Sequence, residues 1–195
     1  MLYQNEPLPV RSRILDSHSE AFNSFTLAGT WFTGQERLAM LREARSASQC
    51  ALCKERKSAL SPYAVKGAHD KQEDLPLNII DVIHRLMTDS GRLTKTWFNT
   101  TLESGLSQEE YVEIVGVVAT LIVLDTFSIG LGSELVEPET AKEGEPSRIT
   151  NDNVFDGGAW VPLFDLPQED SDTGLPTSPN ILRAMGLVPS AIGHF

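Results

Sequence analysis

The chain is short of cysteine, of basic residues and of unbroken apolar sequence, and each shortage removes a class of explanation. Two cysteines in 195 residues are too few for a disulfide scaffold. Sixteen Lys and Arg against 27 Asp and Glu leave a net charge of −11. A chain this acidic is repelled by phosphate backbones and anionic lipid, so neither a nucleic-acid partner nor a membrane role is expected. The longest apolar run, Ile114 to Leu124, covers eleven residues between Glu113 and Asp125, well short of the ~20 that a spanning helix needs. The N-terminal residues lack a basic stretch followed by an apolar run, so no signal peptide is expected and the expected location is cytoplasmic. What is present is ordinary globular composition, 41% hydrophobic with 14 Gly and 11 Pro, in a chain long enough to bury its own core.

The charge is unevenly spread. Residues 134–175 hold eleven acids and two bases, a net of −9, whereas residues 1–133 hold sixteen acids and thirteen bases, a net of −3. Seven of the eleven prolines also follow residue 133. The chain therefore divides into a regular body, residues 1–133, and a Pro/Gly-rich acidic arm, residues 134–195. Apolar spacing in the body is helical and strand-like alternation is scarce, so the expected fold is all-α. Thr33 followed by Glu36 forms a capping box that opens one helix, and Ser107 followed by Glu110 opens the most apolar helix, Tyr111 to about Leu131. A helix starting near Cys50 is interrupted at Ser61 and Pro62, and Pro76 starts another through Ile79, Ile80, Ile83 and Leu86. Phe155, Trp160, Val161, Leu163 and Phe164 are too apolar to face solvent, so the arm should pack on the body or on a neighbouring subunit. Asn180 to Leu187 fits one last short helix. Asp125, an acid interrupting apolar sequence, either faces a functional cavity or salt-bridges an Arg such as Arg85 or Arg92, the second being favoured.

The chemistry concentrates at Cys50 and Cys53, a C-x-x-C. At the first turn of a helix, unpaired backbone N–H groups and the positive end of the helix dipole favour thiolate over thiol. Cys50, Cys53 and Lys57 fall on one helical stripe. Residues 37–71 carry eight bases and three acids in a chain that is acidic elsewhere. A thiolate beside a second thiol can be oxidised to sulfenate and then closed as a disulfide. The competing explanation is two small buried residues. A zinc site needs two further ligands, and the candidates His69 and His84 are not spaced as a zinc pair, so no metal or cofactor is expected. Proton transfer requires an acid or base, for which Glu36 and Glu43 lie 14 and 7 residues before Cys50. Glu36 is equally explained by its capping box, and Glu43 by a solvated helix face.

The stretch from Thr33 to Cys53, TGQERLAMLREARSASQCALC, resembles the alkylhydroperoxidase D and carboxymuconolactone decarboxylase superfamily, in which a glutamate-bearing helix leads into a C-x-x-C at the start of the next helix. Gly105 to Ala119, GLSQEEYVEIVGVVA, is similar to a later core helix of that family. The resemblance spans roughly residues 25–132 and implies an all-α bundle of the alkylhydroperoxidase D-like type that forms homo-oligomers. It further implies a thiol-dependent hydroperoxide reductase, re-reduced by a thiol or dithiol protein. Cys53 would be the attacking thiol, Cys50 the resolving thiol and Glu36 part of the proton relay. Peroxidase members carry His four residues after the second cysteine, where this chain has Lys57, a cation able to lower a thiol pKa but a poor proton shuttle at neutral pH. His69 or His84 could substitute spatially, the competing explanation for each being an ordinary surface or half-buried histidine. Asn180 to Pro189 resembles a segment that precedes the core in peroxidase-related members, although here it follows. The alternative implied by the same superfamily is a non-redox lyase of the carboxymuconolactone decarboxylase kind or a small-molecule-binding protein.

Overall fold

The computed structural model describes residues 2–3, 9–165 and 179–192; Leu166 to Leu175 of the acidic stretch lie outside these. The described residues form an all-α protein with one two-stranded ribbon. The elements are α1 (Ser12–Phe25), α2 (Gly34–Ser46), α3 (Ala51–Ser58), α4 (Leu77–Asp89), α5 (Lys95–Glu103), α6 (Gln108–Leu131), β1 (Val154–Phe155), β2 (Leu163–Phe164), α7 (Asn180–Met185) and α8 (Pro189–Ile192), with a 3-10 turn at Ser90–Arg92 between α4 and α5. Sequence patterning did not bring out α1 or α5.

The two capping boxes fix where the main helices begin. The Thr33 hydroxyl accepts from the Glu36 N–H at 3.3 Å while the Glu36 carboxylate accepts from the Thr33 N–H at 2.8 Å. Ser107 and Glu110 make the same reciprocal pair at 3.0 and 2.8 Å. Each box satisfies two donors that a helix start leaves unpaired. Helix α6 ends at Gly132, whose φ of 78° is left-handed backbone that glycine adopts without a Cβ clash.

Helix α6 is the axis of the fold, packed against α2, α4 and α8 and, more lightly, against α1 and α7. Ile114, Val117, Val118, Leu121 and Leu124 are buried along it, against Met40 and Leu41 of α2 and Ile80 and Ile83 of α4. Twenty-four residues long, it is apolar and long enough to cross a membrane by length and composition. The eleven-residue run understated it because Glu113 and Asp125 lie inside the helix. Both acids are paired within the fold. Glu113 sits 3.7 Å from Arg37, both almost fully buried, and Asp125 meets Arg45 at 2.8 Å. The expected partners of Asp125 are engaged elsewhere, since Arg85 and Arg92 both pair with Asp89.

The arm returns to the body. Lys142, Ser147 and Arg148 donate backbone N–H groups to the carbonyls of Thr26, Gly29 and Thr30 at 2.8 to 3.1 Å. Arg45 also binds the Glu137 carboxylate and the Val136 carbonyl. In the ribbon, Val154 pairs with Phe164 and Phe155 with Leu163, antiparallel. Val161, Met185, Leu187, Val188 and Ala191 join the same core cluster as α2, α4 and α6. The boundary at residue 133 is therefore one of composition, with a single core on both sides of it.

Candidate functional site

Helix α3 is only eight residues long, too short to hold itself, and its neighbours fix both ends. At the start, the Asp70 carboxylate accepts from the Ala51 N–H at 2.7 Å. At the end, the Arg92 guanidinium donates to the carbonyls of Arg56 and Ala59, each at 2.8 Å. An anion at the N-terminus and a cation at the C-terminus both match the helix dipole. Cys50 is the N-cap of this helix and Cys53 lies in its first turn, both buried and both free thiols.

Two histidines converge on the sulfurs. His69, from the loop after α3, places Nδ1 3.6 Å from Cys50 Sγ and 3.5 Å from Cys53 Sγ. His84, from the middle of α4, places Nδ1 3.2 Å from Cys53 Sγ. Each ring is held from behind by a carboxylate. His84 Nε2 meets Glu43 Oε1 at 2.8 Å, with both side chains fully buried. His69 Nε2 meets Asp81 Oδ1 at 2.9 Å. Because a carboxylate only accepts, each Nε2 must carry a proton, which leaves each Nδ1 to present either a lone pair or an N–H to sulfur. The acids are themselves anchored. Glu43 Oε2 accepts from the backbone N–H of Gln72 and Glu73 at 2.9 and 2.8 Å, and Asp81 accepts from Arg56 and from the Trp97 indole, both at 3.0 Å.

The electrostatics follow from this arrangement. Burial pushes the Cys53 thiol up, but hydrogen bonds from His69, His84 and Thr88 and the charge on His84 outweigh it and bring it down to about 6. Burial likewise opposes the Cys50 thiolate, and the backbone N–H groups of Cys53 and Asp70 with the His69 ring outweigh it, so its pKa is lowered. Burial disfavours the His69 cation, yet Asp81 and the two sulfurs raise its pKa to about 10. His84 is raised in the same way, burial being outweighed by Cys53 and Glu43. Partial burial opposes the Asp81 carboxylate, but hydrogen bonds from His69, Trp97 and Arg56 outweigh it and hold Asp81 well below the usual carboxylate range. These shifts favour a Cys53 thiolate beside a His69 imidazolium at neutral pH.

Of the four site residues picked out in the sequence, Cys50 and Cys53 come together and Glu36 and Lys57 do not join them. Glu36 is spent on the capping box of α2, its carboxylate bonded to Thr33, and of the two glutamates weighed for proton transfer it is Glu43 that reaches the site. Lys57 is exposed, a full turn past Cys53, and the imidazole expected at its position arrives from elsewhere in the chain. Lys57→Ala should therefore leave the rate of thiol oxidation within about twofold, and Lys57→His should not raise it, as stopped-flow thiol loss would register; surface changes of this kind have small effects. His69 and His84, rejected as a zinc pair on spacing, are spatial partners. The sulfurs and ring nitrogens of Cys50, Cys53, His69 and His84 all lie within 4.8 Å of one another. Sequence reasoning missed Asp81 altogether; its one signal was the three-residue step to His84, which places both on one face of α4.

Cys50 lies on the wall of a cleft of about 690 Å³ that also includes Arg42, Arg45, Gln49, Asp70 and Glu137. Cys53 does not line it, and both thiols are almost fully buried, Cys50 1% and Cys53 2% exposed. The site thus has a vestibule of mixed charge, a thiol at its wall and a second thiol backed by two imidazoles. Compared with known proteins, the chain matches no family model, and no curated protein or solved structure shows significant similarity to it.

Proposed function

We propose that the protein is a thiol-dependent hydroperoxide reductase of the alkylhydroperoxidase D-like all-α type, with Cys53 and Cys50 as its redox pair. The observation that carries this reading is the buried line from Cys53 Sγ through His84 to Glu43, with contacts of 3.2 and 2.8 Å. A thiolate, a ring able to give and take a proton, and a carboxylate that orients the ring are the parts a nucleophilic thiol requires. The Cys53 thiolate attacks one peroxide oxygen and the O–O bond breaks. Sulfur loses two electrons to become sulfenic acid, and the alkoxide or hydroxide leaves with the proton from His84 Nδ1. The Cys50 thiolate then attacks the Cys53 sulfur, forming the S–S bond as hydroxide departs and is protonated to water. An external dithiol protein returns both electrons and restores the thiols. Ile122, Val123 and Ile129 leave an exposed apolar stretch on α6, which supports self-association as a homo-oligomer.

The test is intact mass before and after one equivalent of hydrogen peroxide at pH 7, with remaining thiols capped. Loss of both thiols to one internal disulfide is the expected result; two thiols still free after many minutes would sink the reading. The enclosure of Cys53 also favours small oxidants. Hydrogen peroxide should oxidise the pair at least about tenfold faster than cumene hydroperoxide, a difference of ~1.4 kcal/mol in barrier.

A further inference from the structure

Activating one thiolate takes one imidazole held by one carboxylate, and this site contains two such pairs. The second pair, His69 with Asp81, stands outside the line from Cys53 through His84 to Glu43 and reaches both sulfurs at once. The two rings lie 4.3 Å apart between centroids; His69 turns Nδ1 toward both sulfurs and His84 turns Nδ1 toward Cys53 Sγ. We propose that the reduced site binds one Zn²⁺ per chain through Cys50 Sγ, Cys53 Sγ, His69 Nδ1 and His84 Nδ1.

Three features support it. The first is size. With Zn–S near ~2.3 Å and Zn–N near ~2.0–2.1 Å, a tetrahedron has sulfur-to-nitrogen edges of about 3.5 Å; three of the four such separations are 3.2, 3.5 and 3.6 Å, and the whole donor set lies within 4.8 Å. The second is the outer shell. Metal-bound imidazoles pass their other N–H to a carboxylate, which fixes the tautomer that offers a lone pair inward. Glu43 and Asp81 do this for both rings, and the Asp70 N–H points at Cys50 Sγ from 3.4 Å. The third is donor type. Two thiolates and two imidazoles suit a borderline cation in tetrahedral geometry, whereas Mg²⁺ and Ca²⁺ require oxygen ligands. Two thiolates also balance the charge of the ion itself. Zinc does not itself change oxidation state, and thiolates bound to it are not free to attack an O–O bond. Metal and peroxide therefore compete for the same sulfurs, yet the metal site stands whether or not the peroxide reading does.

The experiment uses the full chain, reduced and stripped with a chelator under anaerobic conditions. Co²⁺ is titrated in as a spectroscopic substitute, and Zn²⁺ is then added. The expected result is the intense visible absorption of tetrahedral Co²⁺ with a thiolate charge-transfer band, saturating at one equivalent and erased by Zn²⁺. Zn²⁺ should also raise the thermal midpoint of the wild-type chain, since a ligand that binds only the folded state stabilises it. Cys50→Ser and His69→Ala should each lose the band and the shift while keeping helical circular dichroism. A weak octahedral spectrum, no saturation at one equivalent, or a band unchanged in both variants would overturn the proposal. If cobalt fails to bind while the stripped thiols still close under peroxide, the metal site falls and the peroxide reading stands. If cobalt binds as expected and the stripped thiols resist peroxide, the reverse holds.

Discussion

After hydrogen peroxide and dimedone, a Cys50→Ser chain should carry a single adduct on Cys53, and a Cys53→Ser chain should carry none. The two thiols differ in what stands beside them. Cys53 Sγ faces two imidazoles, at 3.2 and 3.5 Å, and its thiol is brought down to about 6, so at neutral pH it is mostly thiolate. Cys50 Sγ faces one ring at 3.6 Å and the Asp70 N–H at 3.4 Å, which hold a thiolate but offer no second proton donor to a departing oxygen. Loss of Cys53 should therefore slow peroxide consumption by at least about 100-fold, the lower range of what a positioned proton donor contributes. Loss of Cys50 should spare the first step and block only disulfide closure, leaving the sulfenate for dimedone to trap. Peptide mapping of the adduct decides the assignment. An adduct on Cys50 in the Cys53→Ser chain would move the attack to the thiol on the cleft wall.

Local signals in the sequence described the local features of this protein well. The capping boxes at Thr33 and Ser107 are written in residues three apart, and they appear as hydrogen bonds in the fold. The position of Cys50 and Cys53 at a helix start was equally legible, because a C-x-x-C followed by bases and then Ser61 and Pro62 marks both ends of a short helix. What stayed hidden was every contact that closes over distance. His69 and His84 are 16 and 31 residues from Cys53, and Glu43 is 41 residues from the ring it orients. No periodicity records such a meeting; it arises from how α4 packs on α2 and α3. Glu36 entered the relay through the family resemblance, since a helix continuous to Cys50 would carry Glu36 and Glu43 alike, 14 and 7 residues before it. Helix α2 stops at Ser46, and the turn that follows leaves the capping acid at the far end while the buried Glu43 comes over the site. Helix α5 escaped notice because Lys95–Glu103 buries only Trp97, Phe98 and Thr101, too few apolar positions to give a period.

Glu43→Ala should be among the most damaging single substitutions in the protein, in stability as well as chemistry. The Glu43 carboxylate is fully buried and accepts from three donors, the His84 ring and the backbone N–H groups of Gln72 and Glu73. Truncation strands all three away from water, at about 1–3 kcal/mol for each buried group left unpaired. The donors are neighbours and relax together, so the expected total in urea unfolding is about 3–5 kcal/mol, the range seen when one partner of a buried charged pair is removed. Glu43→Gln separates the two roles. Its carbonyl can serve either the ring or the backbone pair, but its NH₂ then faces the other donor, at an expected cost of about 1–3 kcal/mol. A neutral amide also cannot stabilise an imidazolium at His84. Thiol oxidation in Glu43→Gln should fall by about 100-fold even where the chain remains folded. Glu36→Ala supplies the contrast: it removes the reciprocal bond to Thr33 and an acid from the first turn of α2, worth about 0.3–1 kcal/mol, with thiol oxidation unchanged. Equal losses of rate in Glu36→Ala and Glu43→Gln would mean that the relay is not read by position, since only Glu43 reaches a ring that touches sulfur. A rate that falls with Glu43→Gln alone, measured where unfolding curves show the chain still folded, assigns the carboxylate to orienting His84 as well as to holding the loop of Gln72 and Glu73 in place.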